Sequence, residues 1–277
     1  MKNRIEKFEV ELLKRKGVLD TIISPEYDGS PDDFITRSLN TLKRNNSLLN
    51  CTASSVVASM IYFAEFGLDF NTPEGYGYIL SEQIGVGFHA VPLLGYRGLI
   101  EIAYRNPRIK NINIQAVYQG DDFVCQSGTE PYLHHARNLT DKKGDLLCVY
   151  AVAHIDGLKP QFVVVSKEEL DYVQTLSRSG NLESSAYNNG LDVFNVMQSK
   201  VAFKLLFKTL PKTNSRQIAK ALDLDNKIDY EKARLVSVDS GYQLVYVEEK
   251  KSTALDSVEI KPIQVRISDK IKPITTK

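Results

Sequence analysis

The spacing of the apolar residues changes twice along the chain, and that order limits the fold more than any other feature. Up to about residue 66 the apolar side chains recur at helical intervals. From Tyr76 to Val165 they come mostly in short extended runs, and after Ser166 helical spacing returns. Helices, then strands, then helices predict an α+β fold: a central small antiparallel sheet and hairpins, flanked by helices. The alternation that builds a parallel α/β sheet is missing.

Local signals place the pieces. Residues 3–16 read as an amphipathic helix ended by Gly17. Ser30-Pro31-Asp32-Asp33 starts a helix: Ser30 caps it, Pro31 suits its first position, and the carboxylates face the positive end of its dipole. A second helix is expected from about Ala53 to Phe66, with Val56, Val57, Met60, Ile61 and Ala64 on its buried side and Gly67 as its stop. Tyr76–Leu80 and Val86–Val91 form a hairpin, and GYRGLIEIAYR (95–105) follows as a short helix that Asn106-Pro107 ends. Ile109–Tyr118 alternates as a half-buried strand, with Ile112, Ile114, Ala116 and Tyr118 on one face. Leu146–Ile155 and Gln161–Val165 make a second hairpin around Asp156-Gly157. Ser166–Glu169 is a capping box. Residues 177–190 read as a polar loop, Leu191–Leu210 as a long helix ended by Pro211, and Asn214 or Ser215 as the cap of another. Leu235–Val238 and Gln243–Val247 pair around Ser240-Gly241, and the tail from Glu248 is charged.

No apolar run approaches the roughly 18–20 residues that span a membrane. The charged start MKNRIEKFEVELLKRKG has no signal-peptide core, so the cytoplasm is the expected compartment. Cys51, Cys125 and Cys148 show no CxxC spacing and read as reduced thiols. The glycines at 75, 77, 85 and 87 do not form a phosphate loop, and no GxxxxGK[ST] occurs, which argues against nucleotide binding; no cofactor is expected. His134-His135 lacks further ligands at metal spacing and reads as structural or phosphate-contacting. Asp121-Asp122 reads as a turn, with a magnesium site as the other reading.

Two basic clusters remain. The net charge is only +1, yet Val193–Leu222 contains no Asp or Glu, while Lys200, Lys204, Lys208, Lys212, Arg216 and Lys220 follow at steps of four. Four residues turn a helix by about 400°, so Lys200, Lys204 and Lys208 share a stripe about 80° wide. Either this is a solvated face, or its cations meet a phosphate backbone. In the second cluster Arg97, Arg105, Arg108 and Lys110 meet only Glu101 among nearby acids, with Tyr96 and Tyr104 interleaved. Those tyrosines are half-buried packing residues or stacking platforms beside a basic groove. Gly95 and Gly98 admit a close backbone, of protein or of nucleic acid.

The same blocks carry a resemblance. AEFGLDFN (64–71), the strand Gly75–Leu80, PLLGYRGLIEIAYR ending at Arg105, AVYQGDDF (116–123), YAVA (150–153) and KVAFKLLFKTLP (200–211) follow in the order seen in the RecT family of phage single-strand annealing proteins. The span from about Ser47 to Pro211 resembles that family. Departures are the lack of Trp, with Tyr187 where the family often has one, Val196 in place of an acidic residue, and Asn106-Pro107 after Arg105. Residues beyond about 214 match none of its patterns.

The resemblance implies a division into an N-terminal helical region with subunit contacts (1–46), a DNA-binding core (47–213) and a C-terminal region (214–277). It also implies an oligomeric annealing-protein fold with a long basic helix. It implies a non-enzyme that binds single-stranded DNA without ATP and pairs it with its complement, as a ring or helical filament. Its partners would be a phage 5′-to-3′ exonuclease and host single-strand-binding protein. Tyr96, Arg97, Tyr104, Arg105, Arg108, Lys110, Lys200, Lys204, Lys208 and Lys212 are the expected DNA-contacting residues. The other function classes are a magnesium-dependent nuclease using Asp121 and Asp122, and a structural assembly protein without DNA.

Overall fold

The structure is a computed structural model that describes residues 2–140, 144–178, 180, 195–211 and 216–246. These lie in one unit, Met1–Val247; the second unit, Glu248–Lys277, falls outside the described residues, as do Lys212, Tyr187 and most of the expected 177–190 loop.

The architecture is α+β. Three helices open it: α1 (Lys2–Lys14), α2 (Lys16–Ile22) and α3 (Pro31–Arg44). The break falls at Arg15 rather than Gly17, because burying Leu19 draws the chain back into helix and outweighs the roughly 1 kcal/mol cost of a helical glycine. Ser30 caps α3 as expected, its hydroxyl accepting from the N–H of Asp33, and the Asp33 carboxylate reaches back to the Ser30 N–H to complete a capping box. Helix α4 (Ala53–Phe66) is capped by Thr52 and ended by Gly67, whose φ of +60° is a left-handed conformation that suits glycine. The sequence predicted one buried side for α4; in the fold all but three of its 14 residues are buried, since other elements pack around it from several directions.

The hairpin β1 (Gly77–Ile84) and β2 (Gly87–Leu94) leads into α5 (Tyr96–Tyr104). The three-stranded antiparallel sheet has the order β3 (Ile109–Tyr118), β6 (Leu146–Ile155), β7 (Gln161–Ser166). A second hairpin, β4 (Asp122–Gln126) and β5 (Tyr132–Ala136), was not anticipated. It covers the far end of the sheet, where Val117, Cys148 and Tyr150 form a small core with Phe123 and Leu133. That cover explains why Val117 is buried while Tyr118 is only partly so: β3 has a register irregularity between them. Helices α6 (Lys167–Leu176), α7 (Val196–Thr209) and α8 (Arg216–Asp229) follow, then the hairpin β8 (Arg234–Val238) and β9 (Gly241–Val245).

Apart from that small cluster, one apolar core joins the rest, from Phe8, Leu19 and Phe34 through Tyr62 and Phe203 to Leu235. Gly77 shows how tightly it closes: an added Cβ would lie 2.1 Å from the Phe63 ring. Gly77→Ala is therefore expected to lower stability by about 1–3 kcal/mol through overpacking, read as a lower urea midpoint with an unchanged slope.

Candidate nucleic-acid interface

Helix α5 carries the first basic cluster, and its glycines serve the protein's own backbone. The Gly95 N–H donates to the Tyr76 carbonyl at 2.9 Å. A Cβ on Gly95 would come within 2.2 Å of the Gly75 oxygen, and one on Gly98 within 2.2 Å of the Tyr76 oxygen. The chain entering β1 thus lies directly on the first turn of α5. Leu99, Ile102 and Ala103 face the core, against α7 and α8.

The two ends of α5 differ. Arg97 is exposed; one guanidinium nitrogen reaches the Glu74 carbonyl at 3.4 Å, and among the described residues no carboxylate pairs with it. A hydrogen bond with Tyr96, and the closeness of Tyr78 and Tyr76, raise its already high pKa. Arg105, eight residues on and about 12 Å along the axis, is largely covered. It donates to the Gln217 side chain at 3.0 Å and lies 4.0 Å from Glu26, while burial lowers its pKa. The expectation that this cluster meets only Glu101 is corrected: the fold brings Glu26 to Arg105, and Asp156 to within 4.0 Å of Lys110. Tyr104 fastens α5 to β3, its hydroxyl accepting from the Ile112 N–H at 3.0 Å, with its side chain left partly open. Arg108 is half-buried, with no ion pair among the described residues.

The lysine stripe needs a larger correction. Lys200 and Lys204 are buried, not displayed, and they do have an acidic partner: Asp225 of α8 lies 2.7 Å from one ammonium and 2.5 Å from the other. Lys204 also donates to the Asn226 side chain and lies 4.6 Å from the centre of the Tyr230 ring. The carboxylate sits three residues beyond the acid-free window, and the fold brings it to α7. Burial opposes the charge of Asp225, but Lys200 and Lys204 hold its carboxyl below the ordinary range; burial lowers the pKa of Lys200. One helical turn further along α8, Asp229 accepts from the Ser177 hydroxyl at 2.8 Å. Lys208 alone of the three is exposed, and Lys212 is outside the described residues.

Asp121 and Asp122 point apart. The Asp121 side chain is turned inward and accepts from the N–H groups of Tyr118 and Asn138, each at 2.9 Å, and lies 3.2 Å from His135. Burial works against its charge, and these bonds outweigh it to lower its pKa. His135 in turn is 3.2 Å from the Tyr150 hydroxyl, whereas Asp122 and His134 are open to solvent. Among the described residues no group of three His, Cys, Asp or Glu side chains is placed to hold a metal. No described helix is long and apolar enough to cross a membrane.

By its relatives this α+β chain is a protein of DNA recombination and single-strand annealing. The RecT family model matches residues 32–237, and the chain belongs to that family. The match reaches past residue 214, so α8 and most of β8 fall within it. The chain is similar to Protein RecT of Escherichia coli (strain K12), 30% identical over 193 residues that cover 67% of this chain and 68% of that protein.

Asp225→Asn would leave two buried ammonium groups without a counter-charge, an expected loss of about 3–5 kcal/mol near neutral pH. The folded pKa of Asp225 is depressed, so its stabilisation is full above the ordinary value of 3.8 and fades as pH falls through the folded value. Urea midpoints of wild type and Asp225→Asn should therefore differ most at pH 6–7, taken as a rough working range, and converge as pH drops below about 4.

Proposed function

We propose that this protein binds single-stranded DNA without ATP and pairs it with a complementary strand, breaking no bond in either. What most supports this reading, beside family membership, is Arg97: an exposed guanidinium among tyrosines with no carboxylate partner among the described residues. A phosphodiester supplies the charge it lacks. The barrier to annealing is largely the repulsion of two strands, each with about one negative charge per 3.4 Å. Cations along one strand lower that barrier while the base edges stay free to pair.

The DNA-facing set in this proposal is Arg97, Arg108, Lys110, Lys208 and Lys212, with Tyr96 and the open part of Tyr104. Arg105, Lys200 and Lys204 act behind it, fixing α5 and α7 in place. The protein works as a homo-oligomer, ring or filament, with residues 1–46 contributing subunit contacts. It acts in the cytoplasm of a bacterial host, beside a 5′-to-3′ exonuclease and single-strand-binding protein.

Two complementary labelled oligonucleotides should anneal faster with the protein and without ATP, and remain full length in magnesium. Strands that shorten would favour a nuclease instead. Arg97→Ala combined with Lys208→Ala should weaken single-strand binding. It should also flatten the slope of log affinity against log salt by about 1.4, at roughly 0.7 per lost phosphate contact. An unchanged slope in a folded double variant would remove both residues from the interface.

A further inference from the structure

Arg97 stands among tyrosines from two elements, and two of them, Tyr76 and Tyr78, lie outside the GYRG run. Gly75, with φ of +70°, leaves open the space they share with it. A Cβ there would lie 3.1 Å from the Tyr78 hydroxyl and 3.9 Å from Cδ of Arg97. Tyr76 packs partly on the core. Tyr78 does not: it is 39% exposed, and Leu80, the next residue on the same face of β1, is 47% exposed. Across the hairpin Tyr78 faces Leu93, itself only half-buried, and Leu80 faces Val91. Glu74 offers Arg97 only its carbonyl oxygen, at 3.4 Å, and Glu101, one helical turn along α5, forms no ion pair with it among the described residues.

Other tyrosines in this protein spend their hydroxyls on carboxylates: Tyr27 donates to Asp69 and Tyr242 to Glu65. Tyr78 instead leaves an aromatic and aliphatic surface in water, at the foot of an uncompensated cation. Apolar faces joined to a positive charge fit a ligand with flat apolar faces joined to a negative charge. The bases and phosphates of a single strand have that chemistry.

Resting on the reading that this chain binds single-stranded DNA, we propose that Tyr78, flanked by Leu80 and Tyr96, is a stacking platform for an unpaired base while Arg97 holds the adjoining phosphate. Such a platform accepts any base, because every base has a π-face. It also separates substrate from product. In a duplex the base faces are turned to one another, so the stack on Tyr78 is given up as the strand pairs, and the platform favours the strand before annealing over the duplex after it.

The test uses the full-length protein and fluorescence anisotropy with two labelled probes of equal length: a thymidine oligonucleotide, and a sugar–phosphate strand without bases. Tyr78→Ala should weaken binding to the base-bearing strand roughly 5- to 150-fold, the equivalent of one lost stack. It should leave binding to the base-free strand unchanged. Tyr78→Phe should keep full affinity for both, and Arg97→Ala should weaken both. Tyr78→Leu fills the volume without a ring; it should behave as the alanine variant does and guards against collapse of the hairpin. Equal losses on the two probes, or no loss with either Tyr78→Ala or Tyr78→Leu, would overturn the platform while wild-type binding still upheld the DNA reading. A wild type that binds neither probe would overturn both.

Discussion

Helix α4 has almost no side to give to water, and much of the fold follows from that. A helix buried all round must be enclosed by elements from distant parts of the chain. Helices α1 and α2 cover it from the N-terminal end of the sequence, β2 from the middle, and β8 and β9 from the far end. Several of its polar groups find partners in β2, β8, β9 and α8. The Ser55 hydroxyl accepts from the Ala90 N–H, Ser54 from the Ser237 N–H, and Glu65 takes both Lys220 and Tyr242. A division of the chain into separate folding units would leave α4 uncovered, which is why one core joins the N-terminal helices to the last hairpin.

Charge is handled in two ways around that core. Where the chain buries a cation it supplies a carboxylate: Asp225 for Lys200 and Lys204, Glu26 beside Arg105. Truncating one partner of such a group is costly because the other stays desolvated. Arg97 follows the opposite rule. It is solvated, lacks an acid among the described residues and is ringed by phenols, an arrangement that does little for packing and suits an anionic ligand. The difference separates cations that hold the fold from cations free to act on something outside it.

Much of the fold was legible because its signals are local. The Ser30 cap, the capping box at Ser166, the Gly67 stop and the hairpin of Leu146–Ile155 with Gln161–Val165 rest on signals a few residues long and came out as expected. The hairpin β4–β5 was not, since its strands are short and half exposed, with little contrast to a loop. The lysine stripe was misjudged for a different reason. Its spacing at four was correct, but a search for acids along the sequence could not find a carboxylate that only the meeting of α8 with α7 brings near.

The sequence by itself determined most of the order of helices and strands, most of the places where they stop, and, through motifs kept in order, the family. Caps, turns and periodicity are short-range physics, so a linear reading reaches them. Tertiary structure alone decided which cations are buried and paired and which are offered to solvent. It also decided that Gly95 and Gly98 make room for the chain entering β1 rather than for DNA, and that Tyr78 stands beside Arg97. Burial and charge pairing depend on which distant residues meet. Those meetings are set by packing around α4, which no stretch of sequence contains.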